Sequence, residues 1–219
     1  NKGHRPYTKQ EKTACALLAF LQLAKVTIEP NYAIYEIMDS KGYEEAVDKL
    51  SRFRAFDNLD SQILIDLALS RRNKILDNML KIERVESIEQ KKGEEFSNWK
   101  IFRGFVLKMA IIDLQGGSIL NKFESLLNWV YKEYIFMNAA MIFGLVLFSE
   151  KRFKNMLKGI GSGNKEKVLK GIRNATWDMS LAYYWSKKAI SEKANGAFWL
   201  LCTEDRALRT FACNLVVSG

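Results

Sequence analysis

"AFWLLCTEDRALRTFA", residues 197–212, is the stretch whose reading decides the fold. Its first six residues are continuously apolar, as in a short strand buried on both faces. From Glu204 onward, apolar and basic residues recur at helical spacing, and Thr203 stands where a helix cap belongs. A strand running directly into a helix would place Asp205 at the C-terminal edge of a sheet, where the ligand and metal sites of open parallel sheets collect.

Two further short β-type runs would complete such a sheet. "VTI", residues 26–28, is β-branched throughout, and "LVV", residues 215–217, ends the last helix. The rest reads as helix, since the chain carries only Pro6 and Pro30 to interrupt it. "KQEKTACALLAFLQLAK" (residues 9–25) forms a first helix, its nearly continuous apolar run from Ala14 to Leu23 expected to be buried. Pro30 and Asn31 start a second, with Tyr32, Tyr35 and Ile37 toward the core and Glu36 in its second turn. From Tyr43 to about Gly159 only helices are expected. "YIFMNAAMIFGLVLF" (residues 134–148) falls short of the ~20 apolar residues of a membrane span and reads as a buried core helix. The polar break "KGIGSGNKEK" then precedes the long helix "VLKGIRNATWDMSLAYYWSKKA" (residues 168–189). The fold class expected is therefore α/β and helix-rich. A small parallel sheet is built from the two chain ends, residues 1–42 and 160–219, with residues 43–159 as a helical insertion packed against it.

The 219 residues, 48% of them hydrophobic, can fill a sizeable core, and the net charge of +9 suits a polyanion: nucleic acid, or an acidic protein surface. That charge is concentrated. Between Lys151 and Arg173, eight Lys or Arg (Lys151, Arg152, Lys154, Lys158, Lys165, Lys167, Lys170, Arg173) face Glu166 alone. A run of this kind is either a solvated face or a phosphate-contacting one. "GIGSGNK" within it does not follow an apolar strand and lacks the Gly-x-x-x-x-Gly-Lys-Ser/Thr spacing that cradles phosphates, so a flexible loop is expected there. Cys15, Cys202 and Cys213 have no C-x-x-C spacing and read as buried, reduced thiols of a cytoplasmic protein, not as a disulfide or zinc framework. His4 is the sole histidine, which disfavours mechanisms needing a paired one.

What remains is carboxylate chemistry. Glu36 in "YAIYEIM", Asp178 between Trp177 and Met179, and Asp205 at the sheet edge all sit in apolar settings, where an acid is costly to bury without a cation or hydrogen-bond partner. Each has an ordinary role open to it as cap, ion pair or solvated group. Gathered at one edge, the three would hold Mg²⁺ or Mn²⁺ through hard oxygen ligands.

"NATWDMSLAYYW" followed by "FWLLCTEDRALRTFA" resembles the C-terminal half of a PIN-domain nuclease, a Rossmann-like fold in which a helical acid precedes an apolar strand ending in Thr-x-Asp. "IEPNYAIYEIM" resembles the earlier element that carries the family's glutamate. The family's first strand and its Asp are absent from this chain, and residues 43–159 would be a long insertion. The resemblance implies a metal-dependent endoribonuclease, of the toxin or defence-effector kind, that hydrolyses RNA or single-stranded DNA. Glu36, Asp178 and Asp205 would hold Mg or Mn, the metal would activate a water for in-line attack, and Thr203 and Glu204 would support them. Lys158, Lys165, Lys167, Lys170 and Arg173 would bind the nucleic-acid backbone. A regulatory protein and a second copy are further partners this reading admits, and a membrane is not one. The competing expectation is a non-catalytic, helix-rich module that binds nucleic acid, or a protein-interaction subunit of a larger complex.

Overall fold

The structure, a computed structural model, describes residues 7–73, 75, 79–88, 94–149 and 156–216, of which residues 94–97 and 216 are described by backbone alone. Its helices are α1 (Lys9–Leu23), α2 (Asn31–Lys41), α3 (Tyr43–Asp57), α4 (Ser61–Ala68), α5 (Glu94–Gln115), α6 (Ile119–Glu133), α7 (Asn138–Phe148), α8 (Lys165–Ser191) and α9 (Arg206–Val216), with one 3-10 turn at Lys193–Asn195. The chain divides into two compact units, Asn1–Gln90 and Lys91–Gly219.

No strand occurs among the described residues, so the expected parallel sheet and the PIN-like α/β fold are overturned. Each run expected to be a strand has another structural use. Val26–Ile28 is the connection between Lys25, at φ 54°, and the Pro30 cap of α2. Residues 197–203 are irregular. Leu215 and Val216 continue α9, because Ala207, Leu208, Phe211 and Ala212 share a buried helical face that Leu215 extends. Val217 lies outside the described residues, as do His4 and Pro6.

In the first unit, α1 begins with a reciprocal capping box. Thr8 Oγ1 accepts from the Glu11 amide at 3.2 Å, and the Glu11 carboxylate accepts from the Thr8 amide at 2.7 Å. This helix packs along α4, burying Cys15 and Ala19 against Leu59, Leu64 and Leu67, while Gln22 Nε2 donates to the carbonyls of Asp57 and Leu59. The pairing covers one stripe only. Leu17, Phe20 and Leu23, expected inside, are 40%, 61% and 65% exposed. Helices α2 and α3 form the second pair, with Ile34 and Tyr35 of α2 and Ala46, Val47 and Leu50 of α3 buried.

The second unit packs five helices around one core. Phe102, Phe105 and Met109 of α5, Leu126 of α6, Phe143 and Leu147 of α7, Met179 of α8 and Phe211 of α9 supply its most enclosed side chains. Each such Phe, Leu or Met contributes ~1.5–3 kcal/mol through the water it leaves behind. Helix α7 is the expected core helix, with Phe143, Leu147 and Phe148 buried, and no described helix is long and apolar enough to cross a membrane. Across the turn between α5 and α6, Lys122 Nζ lies 3.0 Å from Asp113 Oδ1, the two side chains only 15% and 4% exposed. Helix α8 is the longest described element and carries Lys165, Lys167, Lys170, Arg173 and Asp178.

Candidate functional site

Helix α8 starts at Asn164, whose side chain accepts from the Lys167 amide at 3.1 Å. The glycine-rich segment before it turns through Gly159, Gly161 and Gly163, all at positive φ, and lies backbone to backbone on the helix. A Cβ built on Gly171 would fall 1.7 Å from the Lys158 carbonyl oxygen, and one on Gly159 would fall 2.8 Å from the Lys167 carbonyl oxygen. This is a tightly seated turn and not the free loop expected from its composition. Only glycine permits so close a crossing.

The basic residues are carried on this platform. Lys165, Lys167 and Lys170 are exposed, and none makes an ion pair with a described residue. Glu166 is the acid of that turn. Lys167, Lys170 and Arg173, three residues apart in succession, share one helical face, on which Arg173 is half-buried. Lys158 reaches Asp205, Nζ to Oδ2 3.8 Å, with side chains 55% and 33% exposed, so water screens much of their attraction. Lys151, Arg152 and Lys154 lie outside the described residues.

The acids divide differently from the expected cluster. Asp205 caps α9: its Oδ1 accepts from the amides of Ala207 at 2.8 Å and Leu208 at 3.2 Å. Thr203, expected to be the cap, stands two residues earlier, its Oγ1 accepting from the Asp205 amide at 3.1 Å. Asp205 takes the capping role because α9 starts at Arg206, so that the residue before it reaches the first free amides. Glu204 is exposed. Asp178 is half-buried on α8 between the enclosed Trp177 and Met179. Glu36 belongs to α2, in the other unit, and is exposed. Loss of water around its carboxyl, then the negative charge of Asp39, raise its pKa above the usual glutamate range, although its open position limits the effect. Among the described residues no three His, Cys, Asp or Glu side chains gather so as to hold a metal ion. Residues 178 and 205 lie in one unit and 36 in the other.

All three cysteines are free, as expected, but only one of them is buried. Cys15 is buried, its thiol pKa raised by burial and by Glu11, while Cys202 and Cys213 are exposed. Sequence reasoning missed the part played by the connection from α8 to α9. Phe198 is 88% and Leu200 71% exposed, whereas Trp199 and Leu201 between them are half-buried. The alternation of large apolar residues with no polar face was the available signal. It read as a strand buried on both faces, whereas Phe198 and Leu200 leave one face exposed.

What the assembled geometry offers is a rigid cationic platform at the start of α8, with carboxylates in capping and helix-surface positions. Comparison with protein-family models, with curated proteins and with solved structures finds no match to this chain.

Proposed function

We propose that this chain is a helix-rich module that binds the nucleic-acid backbone, without catalysing its cleavage, through the start of α8. The observation that carries the reading is the set Lys165, Lys167 and Lys170: three exposed lysines, unpaired among the described residues, on the first two turns of a 27-residue helix. Two effects add there. The unsatisfied amides and the helix dipole favour negative charge at the N-terminus, and the lysines add full charges beside it. The seated glycine turn fixes the spacing of these groups, so little ordering is needed when phosphates bind. Contacts of this kind are to phosphate and not to base edges, so the binding is expected to be sequence-tolerant and salt-sensitive.

The ribonuclease expectation rested on a sheet edge that brought three acids together, and no such edge occurs among the described residues. One titration separates the two readings. A labelled single-stranded RNA is titrated at several salt concentrations, with and without Mn²⁺, using the parent and the triple variant Lys165→Glu/Lys167→Glu/Lys170→Glu. The module reading expects binding that weakens with salt, and a salt slope shallower by about 2 in the triple variant, three contacts at ~0.7 each. Equal binding by the triple variant refutes it. Mn²⁺-dependent cleavage that disappears in Asp178→Asn/Asp205→Asn replaces it with the nuclease.

A further inference from the structure

The segment joining α8 to α9 is held at both ends. At its start the Ala197 amide donates to the Glu192 carbonyl at 3.2 Å. At its end Asp205 meets Lys158, whose backbone lies on Gly171. From Phe198 to Glu204 exposed and half-buried residues alternate one by one, with Phe198, Leu200, Cys202 and Glu204 outward and Trp199, Leu201 and Thr203 inward, the pattern of an extended chain with one covered face. A third anchor holds it midway, where the Trp185 indole donates to the Trp199 carbonyl at 3.0 Å.

This strap is a strand in composition and extension but not in pairing. Among the described residues no backbone-to-backbone hydrogen bond engages residues 198–204. Leu201 packs on the core and Trp199 lies under the Lys188 ammonium, 5.9 Å from its ring, while Phe198, Leu200 and Cys202 face outward. An extended apolar run with open amides and carbonyls is the edge that strand addition uses. One end of it is cationic: Lys187, Lys188 and Lys193 are exposed there against Glu192 alone, whereas Arg206 and Arg209 at the other end are balanced by Glu204 and the capping Asp205.

We infer that residues 198–203 form a docking edge for an extended apolar segment of a partner protein with acidic residues at the end that meets Lys187, Lys188 and Lys193, which adds to the strap as a β-strand. This surface is separate from the lysines at the start of α8 and goes beyond the nucleic-acid reading. The open backbone decides against a lipid surface, since hydrocarbon cannot satisfy the amides and carbonyls that would enter it. The net charge of +9 weighs against a second copy, because two such chains repel each other.

The test uses a fluorescent nine-residue peptide of alternating valine and threonine with two glutamates at one end, and the same peptide N-methylated at alternate residues. Expected are saturable binding to the whole chain, a loss of at least about tenfold on N-methylation, and new protection of the residue 198–203 amides from hydrogen exchange. Leu200→Pro, which suits extended backbone but removes an amide, and Phe198→Ser, which keeps the amide, should both weaken binding while helix content stays unchanged. Absence of saturable binding up to millimolar peptide, or equal binding of the N-methylated peptide, overturns the inference. So does co-sedimentation with phosphatidylcholine–phosphatidylserine vesicles that depends on Phe198 and Leu200 without peptide binding. A concentration-dependent dimer lost in Leu200→Pro also overturns it, and assigns the edge to a second copy.

Discussion

Gly171→Ala should destabilise the second unit, although on an ordinary helix the same change is favourable. Alanine is the better helix former by about 1 kcal/mol, so in the absence of a neighbour the variant would gain. Here the new Cβ would stand 1.7 Å from the Lys158 carbonyl oxygen, 2.8 Å from its carbon and 3.2 Å from its nitrogen. All three are backbone atoms, so no side chain can rotate away. Relief requires the Lys158 backbone to move by roughly 1.5 Å toward ordinary contact distance, which lifts the glycine turn off α8. Overpacking of this kind costs about 1–3 kcal/mol and sometimes more. The upper end applies where the obstacle is main chain, which leaves a net loss of about 2 kcal/mol. In a unit of this size that lowers Tm by roughly 5–10 °C. Gly144→Ala is the graded control, because its Cβ would meet Leu126 Cδ2 at 2.7 Å, the far end of a side chain that can turn. Urea unfolding followed by helical circular dichroism should show Gly171→Ala below Gly144→Ala in midpoint, with little change in slope. A Gly171→Ala protein as stable as the parent, or more so, refutes the seating of the turn on α8, and with it the rigidity claimed for the lysine platform.

Asp205→Ala should cost about 1 kcal/mol, because it removes the acceptor for the amides of Ala207 and Leu208, and Asp205→Asn should cost much less; equal losses in thermal melts would contradict the cap. Asp113→Ala should cost about 3 kcal/mol by stranding the nearly enclosed Lys122 ammonium, and Asp113→Leu with Lys122→Met should recover most of it. A double variant no better than the single would show that packing, not charge, is lost. Glu36 has a folded-state pKa above its unfolded one, so its favourable contribution is complete below the unfolded value of about 4.3 and is lost as pH rises through the folded value. Glu36→Gln should therefore match the parent near pH 4 or below and melt higher at pH 7; a difference independent of pH would disprove the shift.

How much of this was legible follows from which residues speak locally. Pro30 and Asn31, the apolar run of α7 and the spacing of α8 and α9 announce helices through periodicity and breaker chemistry that need no distant partner. The three β-type runs depend on what covers them. Val26–Ile28 has no neighbour to pair with among the described residues, and Leu215 belongs to a helical face that begins eight residues earlier at Ala207. The same dependence moved Asp205 from cap to metal ligand, since a Thr-Glu-Asp before a helix is a cap by local chemistry and becomes a ligand only at a sheet edge. Gly171 gave no sign at all. A glycine inside a helical pattern shows that something comes close, but not that the Lys158 backbone does.

The missed strand and the open strap have one physical cause. An apolar run such as residues 197–202 must bury at least one of its two faces, and either a sheet or a helix layer can cover it. A sheet would also pair its backbone. A helix cannot, because the amides and carbonyls of α8 are already bonded within the helix. The layer therefore satisfies the half-buried Trp199 and Leu201, and the indole of Trp185 supplies a side-chain bond to the strap backbone at Trp199. Phe198 and Leu200 are left outward because side chains alternate faces along an extended chain, and the strap's amides and carbonyls, which point sideways from it, find no backbone partner among the described residues. Exposure of the side chains and openness of the backbone are thus two results of one packing choice. A substitution that let residues 198–203 coil, such as Leu200→Gly, should slacken the strap between Glu192 and Lys158 and weaken the Trp185 to Trp199 bond, which indole fluorescence reads directly. An unchanged emission spectrum in that variant would show that the strap is held by its ends alone.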